Sequence, residues 1–329
     1  MTKIPRVITI GGGTGSYVTL LGLKKYNLKL TAIVTMTDSG GSSGKLRDEL
    51  GVLPPGDVRQ CLVALSESSK LLRDMFNYRF GEGGLKGHSF GNIFLSTLEK
   101  NTGSMKKAIS EIGKILRIKG NVVPITFSKS ANLCVKLADG KKIIGETHID
   151  VVDKIEKRAR IVEAFLEPKA EINEDAEKAI DEADYIIIGP GDLYTSIIPN
   201  LLVNGVANAI KNSKAKKIFV MNLMTKYGQT TLYSAKNHID DLEKYLGKGV
   251  VDYVLLNSKM PHKNTLSWYE EYGEHPVKDD INENRYKVIR KGLIKDVIIK
   301  ADKNDVLRRG IIRHDPEKLA GELIKIING

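Results

Sequence analysis

The chain has 329 residues, 41% of them hydrophobic and 28% charged, enough for a large core built as one large α/β domain or two smaller ones. One Trp and 6% aromatics leave little for base stacking, so the net charge of +11 reads as a solvated basic surface that attracts anionic small molecules, with no nucleic-acid partner. Two cysteines, no apolar run near the roughly 20 residues of a membrane span, and a first strand beginning within about five residues predict a soluble cytoplasmic protein without disulfides.

Val7-Ile8-Thr9-Ile10 has the unbroken apolar character of a central strand buried on both faces. Gly11-Gly12-Gly13-Thr14-Gly15 follows, where missing Cβ atoms let the backbone turn sharply and approach a ligand. Apolar residues at Val18, Leu20, Leu21 and Leu23 predict a helix whose free N–H groups face that turn, an arrangement that binds phosphate. The G-x-G-x-x-G fingerprint is broken by Ser16 in one frame and Val18 in the other, so dinucleotide binding stays open, as does a plain tight turn.

Leu30 to Thr35 is the second predicted strand, and it empties into the loop Thr37-Asp38-Ser39-Gly40-Gly41-Ser42-Ser43-Gly44-Lys45. Asp38 stands where an acid binds a ribose hydroxyl in dinucleotide sites. The loop imitates a Walker A motif, but Ser39 replaces the first glycine and Leu46 the Ser/Thr that holds magnesium, which argues against P-loop ATP hydrolysis. Asp57 with Gln60 reads as a capping box opening a helix through Leu65; Asp57 and Arg59 could face the site, although a plain N-cap is the commoner outcome for Asp57. After a helix over Leu71 to Phe80, a third glycine-rich loop leads to a helix from Ile93 to Leu98. His88, Ser89 and Asn92 at its start are suited to hydrogen-bonding an anion, although a lone histidine is more often structural.

From Asn121 to Glu167 the pattern changes to short β-type segments, namely Val122–Ile125, Leu133–Leu137, Lys142–Ile144 and Arg160–Phe165. With the hairpin signal Asp139-Gly140, they predict a small antiparallel β subdomain over 121–167. A helix over Asp175 to Glu182 and a strand Tyr185–Ile188 then lead into Gly189-Pro190-Gly191-Asp192-Leu193-Tyr194-Thr195-Ser196, followed by an apolar helical stretch to Ile210. Lys217–Met221 and Tyr253–Leu256 are further strands, each followed by an asparagine, Asn222 and Asn257, and Asn222 is a candidate ligand contact. Met260 to Arg290 is the least legible stretch. Gly310-Ile311-Ile312 is β-type, Asp315 and Pro316 start the terminal helix, and Arg313 between them is placed to reach a phosphate.

Strands alternating with helices predict a doubly wound, mostly parallel α/β sheet within a single domain over 1–329. Such sheets bind ligands at the carboxyl ends of their strands, so the first, second and fourth loops must meet in one crevice. The six histidines lack metal-ligand spacing and neither cysteine has a C-x-x-C partner, so no metal site is predicted.

These loops, in this order, resemble the bacterial gluconeogenesis factor family (the YvcK-like proteins), which is related to the 2-phospho-L-lactate transferases of deazaflavin-cofactor synthesis. The stretches that carry the resemblance are IGGGTG from Ile10, TDSGGSSGKLRDELGVLPPGDVRQCL from Thr37, YRFGEGGLKGHSFGN from Tyr78, IGPGDLYTSIIPNLLV from Ile188, MNLMT from Met221 and IIRHD from Ile311. The resemblance implies a Rossmann-like core in a cytosolic protein. It also implies binding of a uridine nucleotide sugar such as UDP-N-acetylglucosamine, or another dinucleotide-like ligand, with no required cofactor. Support of gluconeogenic growth and of cell shape through wall synthesis is the implied role, with no established enzymatic activity. A homodimer and protein partners in cell-wall synthesis are the associations to look for. Carried over, the expected contacts are Gly11, Gly12, Gly13, Thr14 and Gly15; Asp38, Gly40, Gly41, Ser42 and Ser43; Gly189, Pro190, Gly191, Leu193, Tyr194 and Ser196; and Arg313. Many relatives carry an acidic residue where Ser39 stands, which weakens metal-assisted transfer chemistry here. The alternatives are a 2-phospho-L-lactate transferase-like enzyme acting on a deazaflavin, with Asp38 holding a metal, and an NAD-dependent oxidoreductase.

Overall fold

β1 (Arg6–Gly11) is buried from Val7 onward, as an unbroken apolar run demands of a strand covered on both faces. The computed structural model describes residues 3–152, 157–282, 284–295 and 310–329. From β1 the chain passes through α1 (Gly13–Leu23), β2 (Lys29–Val34), α2 (Gly41–Leu50), α3 (Gly56–Leu65), α4 (Lys70–Asn77), α5 (Phe90–Thr102), α6 (Met105–Leu116) and β3 (Asn121–Pro124). An insertion follows, made of β4 (Asn132–Leu137), β5 (Lys142–Ile144), α7 (Glu146–Asp150) and β6 (Ile161–Glu167). The second half holds α8 (Glu174–Asp181), β7 (Tyr185–Ile188), α9 (Ile198–Leu201), α10 (Val206–Asn212), β8 (Lys216–Val220) and α11 (Ala235–Leu246). It ends with β9 (Tyr253–Asn257), α12 (Lys263–Glu270), β10 (Lys287–Lys291) and α13 (Pro316–Ile327).

Among the described residues, one seven-stranded sheet runs β10-β9-β8-β7-β1-β2-β3, and every neighbouring pair in it is parallel. The chain therefore builds outward from β1 in one direction, then returns to pair β7 with the other side of β1. A reversal of this kind is the topological switch point of a doubly wound sheet, where a crevice opens beyond the carboxyl ends of the two strands. A three-stranded antiparallel sheet, β5-β4-β6, packs beside it. Its turn follows the Asp139-Gly140 signal: Gly140 has φ +88° and the Lys141 N–H donates to Asp139 Oδ1. Leu133, Val135, Ile161 and Ala164 of this small sheet share one core with the main sheet. Among the described residues no helix is long and apolar enough to cross a membrane.

Several expected elements differ. Val122–Ile125 does not join the small antiparallel sheet: β3 pairs parallel with β2, Thr31 opposite Asn121, and is the edge of the main sheet. A four-residue apolar run cannot announce which sheet will receive it. The antiparallel sheet thus spans β4 to β6, and residues 153–156 of that insertion lie outside the described residues. The second glycine loop is half helix, since α2 begins at Gly41. The apolar stretch after β7 is broken into a π-helical turn over Leu193–Ile197, then α9 and α10. Gly310–Ile312 is not a strand; its neighbourhood contributes only an isolated bridge between Ile294 and His314.

Candidate functional site

The loops after β1 and β7 meet at the switch point. Gly15, in the first turn of α1, lies so close to the loop after β7 that a Cβ there would sit inside the Pro190 carbonyl oxygen. Gly13 has φ +60°, a left-handed backbone that a side chain strains. The α1 N-cap, Gly12, has no side-chain cap bond, so the positive end of the helix opens onto the cleft. One of its donors is already taken, because the Gly13 N–H donates to Asp57 Oδ1 at 2.8 Å.

Asp57 corrects an expectation. It is not the N-cap of α3 but lies inside the helix, which begins at Gly56 after Pro55, and it forms no capping box. Its carboxylate reaches across to α1 instead. An anion at this helix end must use the amides beyond Gly13.

Two connected lobes occupy the crevice. The first, of about 190 Å3, is lined by Gly12–Gly15, Pro190, Gly191, Ser196, Asn222, Lys226, Tyr269, Arg313 and His314. The second, of about 80 Å3, is lined by Asp38, Gly40–Ser43, Asp57, Arg59, Arg79, Asn92, Glu146 and Thr147. Gly13, Asp150, Asp192 and Ser196 line both and form the neck. Asp150 is held there by Gln229 Nε2 at 2.9 Å and by Lys226 Nζ at 3.3 Å. The loop after β7 is tied to the loop after β8 by the Gly191 N–H, which donates to Asn222 Oδ1 at 3.0 Å.

The expected residues separate into three groups. Gly12, Gly13, Thr14, Gly15, Pro190, Gly191, Ser196, Asn222 and Arg313 line the first lobe, and Asp38, Gly40, Gly41, Ser42, Ser43 and Asn92 line the second. Gly11 and Gly189 lie behind the walls, hydrogen-bonded to the neighbouring strands through the Thr35 and Gly189 N–H groups. His88 and Ser89 brace the site from behind: Ser42 Oγ shares a 3.3 Å hydrogen bond with His88 Nδ1 and accepts the Ser89 N–H at 3.3 Å. Ser89 also caps α5, accepting the Asn92 N–H. Leu193 and Tyr194 turn into the core instead of the cleft, each only 1% exposed. The Tyr194 hydroxyl donates to Asp241 Oδ2 at 2.7 Å, and burial pushes its pKa well up. The π-helical turn rotates these two side chains inward while leaving Ser196 at the neck.

Some lining residues had no signal in the sequence. α7, from the insertion, brings Glu146, Thr147 and Asp150 to the second lobe, so the small sheet is more than a structural appendage. Ser39 anchors it, its Oγ accepting the Thr147 N–H at 3.1 Å. Tyr269 arrives from the illegible stretch and its hydroxyl accepts the Ile312 N–H at 3.0 Å, fixing the segment that carries Arg313. His314 is 5% exposed, and burial with the nearby Arg313 charge lowers its pKa to about 4. It is therefore neutral at pH 7.

The model of the 2-phospho-L-lactate transferase CofD family matches residues 7–294, which takes in every loop of this crevice except the segment with Arg313. The chain belongs to that family. Within it, a gluconeogenesis factor of Bacillus subtilis is 39% identical over 328 residues, covering 99% of each chain. A gluconeogenesis factor of Halalkalibacterium halodurans is 40% identical over 326 residues, 98% of this chain and 97% of the relative. A crystal structure of a UPF0052-family protein from Bacillus halodurans superposes with a TM-score of 0.88 at 37% identity, covering 98% of this chain and 100% of that one. The family and fold expected from the motifs are thereby established.

Proposed function

We propose that this CofD-family chain is a nucleotide-sugar-binding regulatory protein of the UDP-N-acetylglucosamine type, supporting gluconeogenic growth and cell-wall morphogenesis in the cytoplasm. The observation that carries the reading is the pairing of two chemically different lobes across one neck. The first offers the α1 amides beyond Gly13 together with Lys226 and Arg313, groups suited to a diphosphate. The second offers Ser42, Ser43, Thr147, Asn92 and the carboxylates Asp38 and Asp57, groups suited to sugar hydroxyls. The lobes are narrow, so a nucleotide sugar would lie along both and emerge at the mouth. Among its gluconeogenesis-factor relatives the name itself supports the physiological part of the reading.

Calorimetry against UDP-N-acetylglucosamine and NAD tests it. The sugar nucleotide should bind more tightly, and tighter binding of NAD would reject the reading in favour of a dinucleotide. Arg313→Ala should cost about 1.5–3 kcal/mol of UDP-sugar affinity, a tenfold or larger rise in Kd, if one charge-assisted hydrogen bond is lost. Arg313 is half-buried and its NH1 donates to the Ile312 carbonyl at 2.8 Å, so a melting-temperature loss should accompany the effect, unlike the small one expected of an exposed side chain. Unchanged affinity in the folded variant would assign Arg313 to the fold alone.

The family match favours a second reading, phospholactyl transfer to a deazaflavin. It asks Asp38 to hold a metal. Asp38 Oδ1 accepts the Gly40 N–H at 2.8 Å, and among the described residues no group of three His, Cys, Asp or Glu side chains is disposed to hold an ion. The residues present do not fit that ion. Turnover of a deazaflavin acceptor with a phospholactyl donor would nonetheless establish the transferase.

A further inference from the structure

A larger cavity lies at the opposite end of the sheet. It is a groove of about 820 Å3, within the range of small-molecule sites, along the open β3 edge and the amino ends of β1 and β2. Its floor is one face of three strands, where Ile8 stands opposite Thr31 and Thr31 opposite Asn121, with Val123 two residues farther along β3; period-2 alternation puts all of them on that face together with Arg6 and Lys29. Phe127, 39% exposed, adds an aromatic face. α6 and α8 form the walls, joined by an ion pair of 2.5 Å between Lys106 and Asp175.

The charge of this groove is one-sided. Six cations line it, Arg6, Lys29, Lys106, Lys114, Arg117 and Lys178, against only the carboxylates of Asp175 and Glu182. Both acids are occupied, Asp175 by Lys106 and Glu182 by Arg6 at 2.7 Å. Lys114 pairs with Glu111. Lys29, Arg117 and Lys178 have no carboxylate partner among the described residues, and all three are exposed. An edge strand is also a place where another strand could add, but here that edge is blunted. Pro124 has no N–H to donate, its carbonyl accepts Asn173 Nδ2 at 3.1 Å, and the Ile125 carbonyl accepts the Asn173 N–H at 2.9 Å.

We propose that this groove is a second binding site, separate from the switch-point cleft, for a small amphipathic anion. The ligand would have an aromatic or acyl body to cover the apolar floor and a phosphate, or paired carboxylates, to meet Lys29, Arg117 and Lys178. Neither half suffices alone: an exposed lysine pairing contributes little in water, and a bare apolar floor does not select an anion.

The test uses the full chain and three probes in calorimetry: 1-naphthyl phosphate, 1-naphthol and inorganic phosphate. Naphthyl phosphate should bind saturably, and at least about tenfold more tightly than either half. The double substitution Lys29→Glu with Lys178→Glu, at exposed positions that leave the fold intact, should weaken it by tenfold or more, whereas Arg313→Ala in the other cleft should leave it unchanged. Ala179→Trp, which fills the groove without altering charge, should also abolish binding. Binding that follows Arg313 and ignores the lysines would overturn the proposal, as would equal binding of inorganic phosphate. So would a charge-reversed variant that passes from dimer to monomer in light scattering while the parent chain binds no naphthyl phosphate, since a second copy would then be the occupant.

Discussion

Gly15→Ala should lower stability by about 3 kcal/mol, the upper end of ordinary overpacking costs, and reduce UDP-sugar affinity by about a hundredfold. In an ordinary helix this change would help, since alanine gains up to about 1 kcal/mol over glycine. Here the added Cβ meets the Pro190 carbonyl, which is backbone and cannot rotate away. The loops after β1 and β7 must separate, and both the first lobe and the neck lose their walls. The steric term therefore wins over propensity. Gly321→Ala is the matched control, because its Cβ would meet nothing within 4 Å on α13. That variant should be neutral or slightly stabilised. Urea denaturation of both proteins, with calorimetry on whichever fold, checks the pair. Parental stability and affinity for Gly15→Ala would mean the two loops do not touch as described.

Acidification should remove about 3 kcal/mol of stability through His314 alone. Its folded pKa is lowered by burial to about 4, against 6.5 for the free side chain. Between those values the unfolded chain binds a proton that the folded chain refuses. Stability thus rises with pH across this window. The His314 contribution is fully present above about pH 6.5 and lost as the pH falls toward 4. Below the folded pKa both states are protonated and the loss stops growing. His238 is also buried with a lowered pKa, so the wild-type curve by itself mixes the two groups. The informative quantity is the difference between wild type and His314→Gln, followed by urea midpoints from pH 7 to pH 4.5. The variant should lose clearly less stability than the parent over that interval. Parallel curves would show that His314 reaches solvent when protonated.

His314 bears on the binding site as well. A neutral imidazole beside Arg313 adds no charge to a wall that already carries Arg313 and the Glu274 carboxylate. Protonation at low pH requires opening the wall, so ligand binding and His314 protonation should oppose each other.

Much of this architecture was determined locally. The apolar runs at Val7–Ile10 and Tyr185–Ile188 have the character of buried strands, and the glycine-rich segments that follow them mark the turns at their carboxyl ends. Asp315 with Pro316 specified the start of α13, where Asp315 Oδ1 accepts the Glu317 and Lys318 N–H groups. Such features depend on backbone preference and on neighbours within one turn of chain. The remainder was decided by contacts between distant segments. Asp57 carries every local mark of an N-cap, yet its partner is an amide 44 residues away. Tyr194 sits in a motif of polar and glycine residues, but a π-helical turn gives its hydroxyl to Asp241, 47 residues on. β3 looked like a member of the small sheet until β2 offered an open edge. α7 reaches the cleft only because the insertion packs on the main core and Ser39 receives it. In each case a short polar or apolar segment has several partners of similar worth, and only the packed chain selects among them, since burial makes an unpaired carboxylate or backbone group far more costly than a mismatch of local propensity.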